Sequence, residues 1–285
     1  MSQLIEEAAV SGPTRRRTRL SDKETEERML AAAVEMVGET GLTVSLEHLS
    51  LEDVIRSAGV ARSAVYRRWP YKDLFFSDLL RELAKGATPA EFGSEESQSG
   101  VAAAVLERIE LLRTPAGRGQ IISEVIRANR DFESVRHSKV WRSYLALHAT
   151  FLSLDDGPLR EDVRAALAEA ERSFVTRIAT AHQEIARLLG YRLRPELGAG
   201  YETMAMLLNA TLRGILLMDP TVPNLADDRV QGKAFGGEAP AEWSLSALAI
   251  GAIEWTFLEP DPDVEWNDEH VAEVRDTLER MAGES

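Results

Sequence analysis

Three residues between positions 50 and 70 constrain this chain more than any other feature. Ser50 is placed to cap a short helix from Leu51 to Ala58, Gly59 ends it, and Pro70 stops a following helix from Ala61 to Trp69. Glu52 and Asp53 fall in the first turn of the former, where the helix dipole favours acids. Upstream, Ser21 with Glu24 three residues on is a capping-box pattern, and Met29, Leu30, Ala33, Val34 and Val37 form one apolar stripe closed by Gly38 and Gly41. Downstream, Asp73 to Lys85 predicts a further helix, apolar at Leu74, Phe75, Leu79, Leu80 and Leu83. Short helices with a glycine turn between the second and third are a helix-turn-helix pattern.

Beyond this unit, Gly86 to Gly100 is rich in Gly, Ser and Pro and reads as a linker and domain boundary. The rest shows no strand-like alternation. Helical runs are expected at about Val101 to Arg113, Gly119 to Arg130, Ser134 to Leu154, Leu159 to Leu189, Pro195 to Met218, Glu242 to Leu258 and Asp268 to Met281. Thr221 to Pro240 carries too many prolines and glycines for a helix and is expected as a long loop. The fold class is therefore all-α: a basic arm over 1–20, expected to be disordered, a helix-turn-helix domain over 21–85 and a helical domain over 101–285.

With 44% hydrophobic residues in 285, the chain can bury a real core, and zero cysteines exclude disulfides, thiol catalysis and cysteine-ligated metals. The N-terminal segment lacks the charge order of a secretory signal. The two most apolar stretches, Thr203 to Met218 and Trp243 to Leu258, are short and carry Arg213 and Glu254, so a cytoplasmic location with no membrane partner is expected. The net charge of −14 is uneven: residues 14–85 sum to +1, residues 1–13 to −2 and residues 86–285 to −13. A near-neutral unit bearing an Arg cluster on an acidic body points to a local polyanion contact.

The segment AGVARSAVYRRWPYKDL, Ala58 to Leu74, resembles the signature of the tetracycline-repressor (TetR) family of transcriptional regulators. The AGV turn, Tyr66 four residues before Pro70, the aromatic Trp69, and Lys72 followed by an acid and Leu74 carry the likeness. Four extra residues between Gly41 and Ser50, and the Arg67-Arg68 pair, depart from it. The resemblance implies a small DNA-binding domain followed by a helical domain that binds a ligand and dimerises.

Physics places Val60 and Val65 inward and leaves Ala61, Arg62, Ser63, Ala64, Arg67 and Arg68 on the exposed face of a helix lying along a major groove. Arg62, Ser63 and Ala64 are candidates for base edges. Tyr66, Arg67, Lys72 and Ser50 are candidates for phosphates, and Arg15, Arg16, Arg17 and Arg19 for the adjacent minor groove or backbone. The same geometry also occurs as plain packing, with the arginines as a solvated face.

In the acidic body, Met204, Leu207, Leu208, Thr211 and Ile215 recur at helical spacing, as do Leu245, Leu248, Ala249 and Ala252. Two such helices are expected to meet their twofold mates in a four-helix dimer interface. Candidate ligand contacts are the aromatic or polar residues on apolar faces: Trp141, Tyr144, His148, Phe151, Phe174, Arg177, Asn209 and Arg213. No catalytic motif is present, the five histidines are scattered, and no metal or cofactor is implied. The sequence therefore predicts a dimeric, ligand-responsive regulator, a repressor released from a palindromic DNA operator by a small apolar or amphipathic molecule, and not an enzyme. The rival reading is a helical protein-interaction or small-molecule-binding module that no longer reads DNA.

Overall fold

The computed structural model describes residues 20–42, 49–87, 95–128, 131–225, 227–237 and 239–283. The arginines at 15, 16, 17 and 19 lie outside them, as does most of the loop before Ser50. Among the described residues the fold is helical apart from two small strand pairs. Helix α1 (Asp22–Thr40) begins at the expected capping box, with Ser21 and Glu24 bonding each other's backbone. Helix α2 (Leu51–Ala58) starts at Ser50, whose hydroxyl accepts from Asp53 N, an arrangement worth about 1 kcal/mol. Gly59 closes α2 at φ +63°, left-handed backbone that side chains resist, and so lets α3 (Arg62–Arg68) cross it. Helix α4 (Lys72–Lys85) completes the unit.

Met29, Val37, Val54, Val65, Trp69, Phe75 and Leu79 form the core of this unit, and Leu147, Val163 and Leu167 from the following helices belong to it as well. The two halves of the molecule thus share a core. Its continuity comes from α9 (Pro158–Leu188), a helix of 31 residues, about 46 Å long. Val163 and Leu167 at its start pack under the N-terminal unit, Phe174 and Ile178 meet α8 (Lys139–Leu152) and α10 (Tyr201–Met218), and Ala186 near its end meets α5 (Glu95–Leu106) and α12 (Asp268–Gly283).

Several boundaries differ from expectation. Residues 95–100, read as linker, are the first half of α5, which packs along α12. The run expected from Ser134 divides into α7 (Asp131–Arg136) and α8, because Ser138 caps a new helix at Trp141 N. The expected loop 221–240 contains β2 (Arg229–Gly232), paired antiparallel with β3 (Ala241–Ser244) just before α11 (Leu245–Phe257). The hairpin is held by Trp243, which donates Nε1–H to Gly232 O at 3.1 Å and packs edge-on against Phe235. A second pair, β1 (Tyr191–Leu193) with β4 (Leu258–Pro260), ties the end of α9 to the end of α11. Gly190 makes the turn into β1 at φ +68°, and a Cβ there would lie 2.7 Å from the Trp266 ring.

Candidate nucleic-acid interface and internal cavity

Helix α3 presents Ala61, Arg62, Ser63, Tyr66 and Arg67 to solvent, with Ala64 half-buried and Val65 fully buried. This is the expected exposed face, but its cations are already engaged. Arg62 pairs with Glu52 of α2, and the Tyr66 hydroxyl donates to the same carboxylate at 3.2 Å. Arg67 pairs with Asp22. Arg68 bonds Glu26 at 3.0 Å and Asp78 at 3.3 Å while stacking on Trp69, so it ties α1, α3 and α4 together more than it faces outward. Lys72 is exposed at the start of α4, its ammonium 4.8 Å from the Phe76 ring. Glu52, overlooked in the sequence, is the residue that orients Arg62 and Tyr66. Its position in the first turn of α2 was legible, but the partner it holds was not.

The second site is a cavity of ≈ 150 Å³ enclosed by α5, α6 (Pro115–Ala128), α7, α9, α10 and α11. Its wall is apolar over most of its extent, with Val101, Ile122, Val125, Ile178, Ile185, Leu212 and Ile250 among the lining residues. Of the expected ligand residues, Phe174 and Asn209 line it. Four others, Trp141, Tyr144, His148 and Arg213, form a polar cluster beside it around Glu171, which the sequence reading had not singled out. Arg213 grips the Glu171 carboxylate at 2.5 and 2.9 Å, Tyr144 donates its hydroxyl to it, and His148 Nε2 lies 3.4 Å away. The Arg213 guanidinium also lies 5.9 Å from the Phe174 ring, so cavity and cluster share that side chain.

Two expected ligand residues lie elsewhere. Phe151 packs at the edge of the N-terminal core under Arg160, and Arg177 stacks on the outer side of Phe174 over a separate, shallow hollow. Their helices turn those positions away from the cavity. The polar lining residues that the sequence reading missed as ligand contacts are Gln98, His182, Tyr191 and Glu254. A charged residue within the apolar run of α11 was the available signal for Glu254.

Burial alone would raise the Glu171 pKa, but contacts with His148, Arg213 and Tyr144 outweigh it and bring the carboxyl down to about 2. Burial, with the bond to Glu171, pushes the Tyr144 phenol up. Because the folded-state pKa of Glu171 is depressed from 4.5, its stabilisation is complete above that value and is lost as pH falls towards 2. Glu171→Gln should therefore lower stability by up to about 3 kcal/mol at neutral pH. In urea unfolding, the gap between wild type and variant should close below pH 4.5 and be gone near pH 2.

The dimer expectation is corrected in phase. Met204, Leu208 and Ile215 are 0%, 4% and 8% exposed and point into the protomer, so they cannot meet a partner; Thr211 is half-buried at the margin. Of the expected stripe, Leu207 faces outward, and the outward face of α10 carries it with Met206, Ala210, Gly214 and Leu217, Met206, Leu207 and Leu217 being 51%, 45% and 65% exposed. On α11, Leu245 and Ala252 are exposed and Leu248 and Ala249 half-buried, so burial within the protomer does not remove them from an interface. Among the described residues, no helix is long and apolar enough to cross a membrane.

No family model and no curated protein matches the chain. Solved structures do. The chain is similar to E. coli NemR in its reduced form, at 14% identity and TM-score 0.40 over 82% of this chain and 98% of that one. It is also similar to SmeT in a complex with triclosan, at 21% identity and TM-score 0.39 over 85% and 96%. A third is a transcriptional regulator of the TetR family from Vibrio parahaemolyticus, at 16% identity and TM-score 0.31 over 82% and 99%. At these identities and TM-scores, function has to be read from the chain's own residues.

Proposed function

We propose that the protein is a dimeric, cytoplasmic, TetR-type transcriptional regulator, most simply a repressor, that binds a palindromic DNA operator and is released by a small molecule. The observation that carries this reading is the capped α2, the Gly59 turn and the solvent-facing α3 bearing Arg62, Ser63, Tyr66 and Arg67. In this reading α3 enters the major groove, Arg62, Ser63 and Ala64 meet base edges, and Ser50, Tyr66, Arg67 and Lys72 meet phosphates. Arg68 supports that surface from behind through Glu26 and Asp78, and Arg15, Arg16, Arg17 and Arg19 extend it into the adjacent groove.

Glu52 and Asp22 have a role here too. They neutralise Arg62 and Arg67 in the unbound protein, so a phosphate or a guanine must displace a carboxylate. That exchange weakens nonspecific binding and rewards only contacts good enough to replace an ion pair. Lys72→Ala and Tyr66→Phe should weaken binding evenly across sequences, and Lys72→Ala should also lower the salt slope by about 1. Arg62→Ala should instead relax preference at one base position per half-site. Fluorescence anisotropy on a panel of single-base operator variants, at two salt concentrations, separates the two classes. Equal effects of all three variants on base preference would refute the division.

Helix α8 suits the transmission of a signal. Its Ser143 accepts from Leu42 N at 3.1 Å and its Lys139 reaches Glu39 O at 3.3 Å, both at the end of α1, while Leu147 joins the N-terminal core. On its other side Trp141, Tyr144 and His148 grip α9 and α10 through Glu171 and Arg213, beside the cavity. A molecule that moves Phe174 or α10 would shift α8 and, with it, α1. For that to switch DNA binding the molecule must bind one arrangement better than the other.

A further inference from the structure

The chemistry of the cavity wall narrows what enters it. Among the described residues lining the cavity there is one carboxylate, Glu254, and neither lysine nor arginine. Glu254 is largely shielded, its side chain 17% exposed. The carboxamide oxygen of Asn209 is buried and accepts no hydrogen bond. Both groups are acceptors, they stand on adjacent helices, and the surface between and around them is apolar and aromatic.

His182 refines the point. Its Nδ1 lies 2.9 Å from the carbonyl oxygen of Ile178, which can only accept, so Nδ1 carries a hydrogen. Its Nε2 lies 3.3 Å from Glu254 Oε1. The pair fixes the Glu254 carboxylate in the cavity wall. A carboxylate or phosphate in the same place would face Glu254 with neither lysine nor arginine among the described lining residues to offset the repulsion.

We propose that the cavity selects lipophilic amines: molecules with an apolar, preferably aromatic, body and one protonated nitrogen that donates to Glu254 and Asn209. This deepens the effector site proposed above and rests on reading this cavity as that site. The amine would touch α10 and α11 directly, the helices whose outer faces are proposed to form the dimer.

The test is calorimetric titration of the full-length protein near neutral pH with three probes sharing one skeleton: 3-phenylpropylammonium, 3-phenylpropan-1-ol and 3-phenylpropanoate. The ammonium is expected to bind about tenfold or more tighter than the alcohol, and the carboxylate weakest of the three. Glu254→Gln should abolish the preference for ammonium over alcohol, and Glu161→Gln, which removes an acid on the exposed start of α9, should keep it. If Glu254→Gln does not fold, Asn209→Leu provides the second arm and should weaken ammonium and alcohol while sparing the carboxylate. Binding of the carboxylate or the alcohol as tightly as the ammonium, or of none of the three to the folded protein, overturns the inference. The amine preference without any change in DNA binding would uphold the cavity chemistry and overturn the regulatory reading. Loss of the preference in a protein still released from DNA by some other molecule would do the reverse.

Discussion

Gly214→Arg is expected to leave the protomer folded, split the proposed dimer and lower affinity for the proposed operator by roughly 10²–10⁴-fold, the advantage of engaging two half-sites at once. Gly214 lies at the centre of the outward face of α10, between Ala210 and Leu217, and a Cβ added to it meets nothing within 4 Å. The protomer therefore does not need the glycine. In a helix interior it is unfavourable by about 1 kcal/mol relative to alanine, so its presence asks for a reason outside the protomer. Ala210 and Gly214 together form a small-residue strip flanked by Met206, Leu207 and Leu217, the profile of a close helix contact. Arginine at 214 would drive a long charged side chain into that contact. Analytical ultracentrifugation should show a monomer with an unaltered circular dichroism spectrum, and Gly214→Ala should remain dimeric. A Gly214→Arg protein that stays dimeric would place the interface elsewhere.

Trp69→Ala is expected to destabilise the protein by about 3–5 kcal/mol, the usual range for emptying a buried aromatic site. Trp69 is fully buried, edge-on to Phe75 at 5.2 Å. It donates Nε1–H to Asp78 at 2.9 Å, and Arg68 lies over its ring at 5.1 Å. Removing the ring leaves a cavity at the junction of α1, α3 and α4 and also frees Asp78 and Arg68 from their arrangement. Because Leu147, Val163 and Leu167 belong to the same core, the loss should spread beyond the N-terminal unit and lower the single thermal transition instead of splitting it. Differential scanning calorimetry reads this directly. Two separated transitions in the variant would show that the shared core does not couple the halves. Trp69→Phe, which keeps the ring but loses the bond to Asp78, should have a smaller effect.

The helix-turn-helix was legible because local signals carry it: Ser21, Ser50, Gly59 and Pro70 fix starts and stops through capping and backbone geometry alone. The hairpin of β2 and β3 was not, since its pairing depends on Trp243 and Phe235 packing at a distance from Gly232. The prolines and glycines that exclude a helix from this stretch do not exclude strands. On α10 the spacing was right and the phase wrong. Both faces of that helix are apolar, so periodicity cannot decide which one turns inward, whereas α11 carries an acid, Glu254, that lines the cavity. In the cavity, Phe174 and Asn209 were recognisable as aromatic and polar residues on apolar helices. His182 and Glu254 come from helices far apart in the chain, and only the fold brings them within 3.3 Å.

The most direct measurement is selection of bound duplexes from a random DNA library by the purified full-length protein near physiological salt, followed by sequencing. Enrichment of a palindrome whose half-sites are centred about 34–36 Å apart, or a further helical turn apart, is the predicted result, because two α3 helices related by a twofold axis must read the same groove on the same side of the duplex. Enrichment lost with Gly214→Arg, and broadened at one base per half-site with Arg62→Ala, would tie that palindrome to the residues named here. A folded, dimeric protein that enriches no sequence, alone and with lipophilic amines present, would contradict DNA recognition and leave a helical small-molecule-binding module in its place.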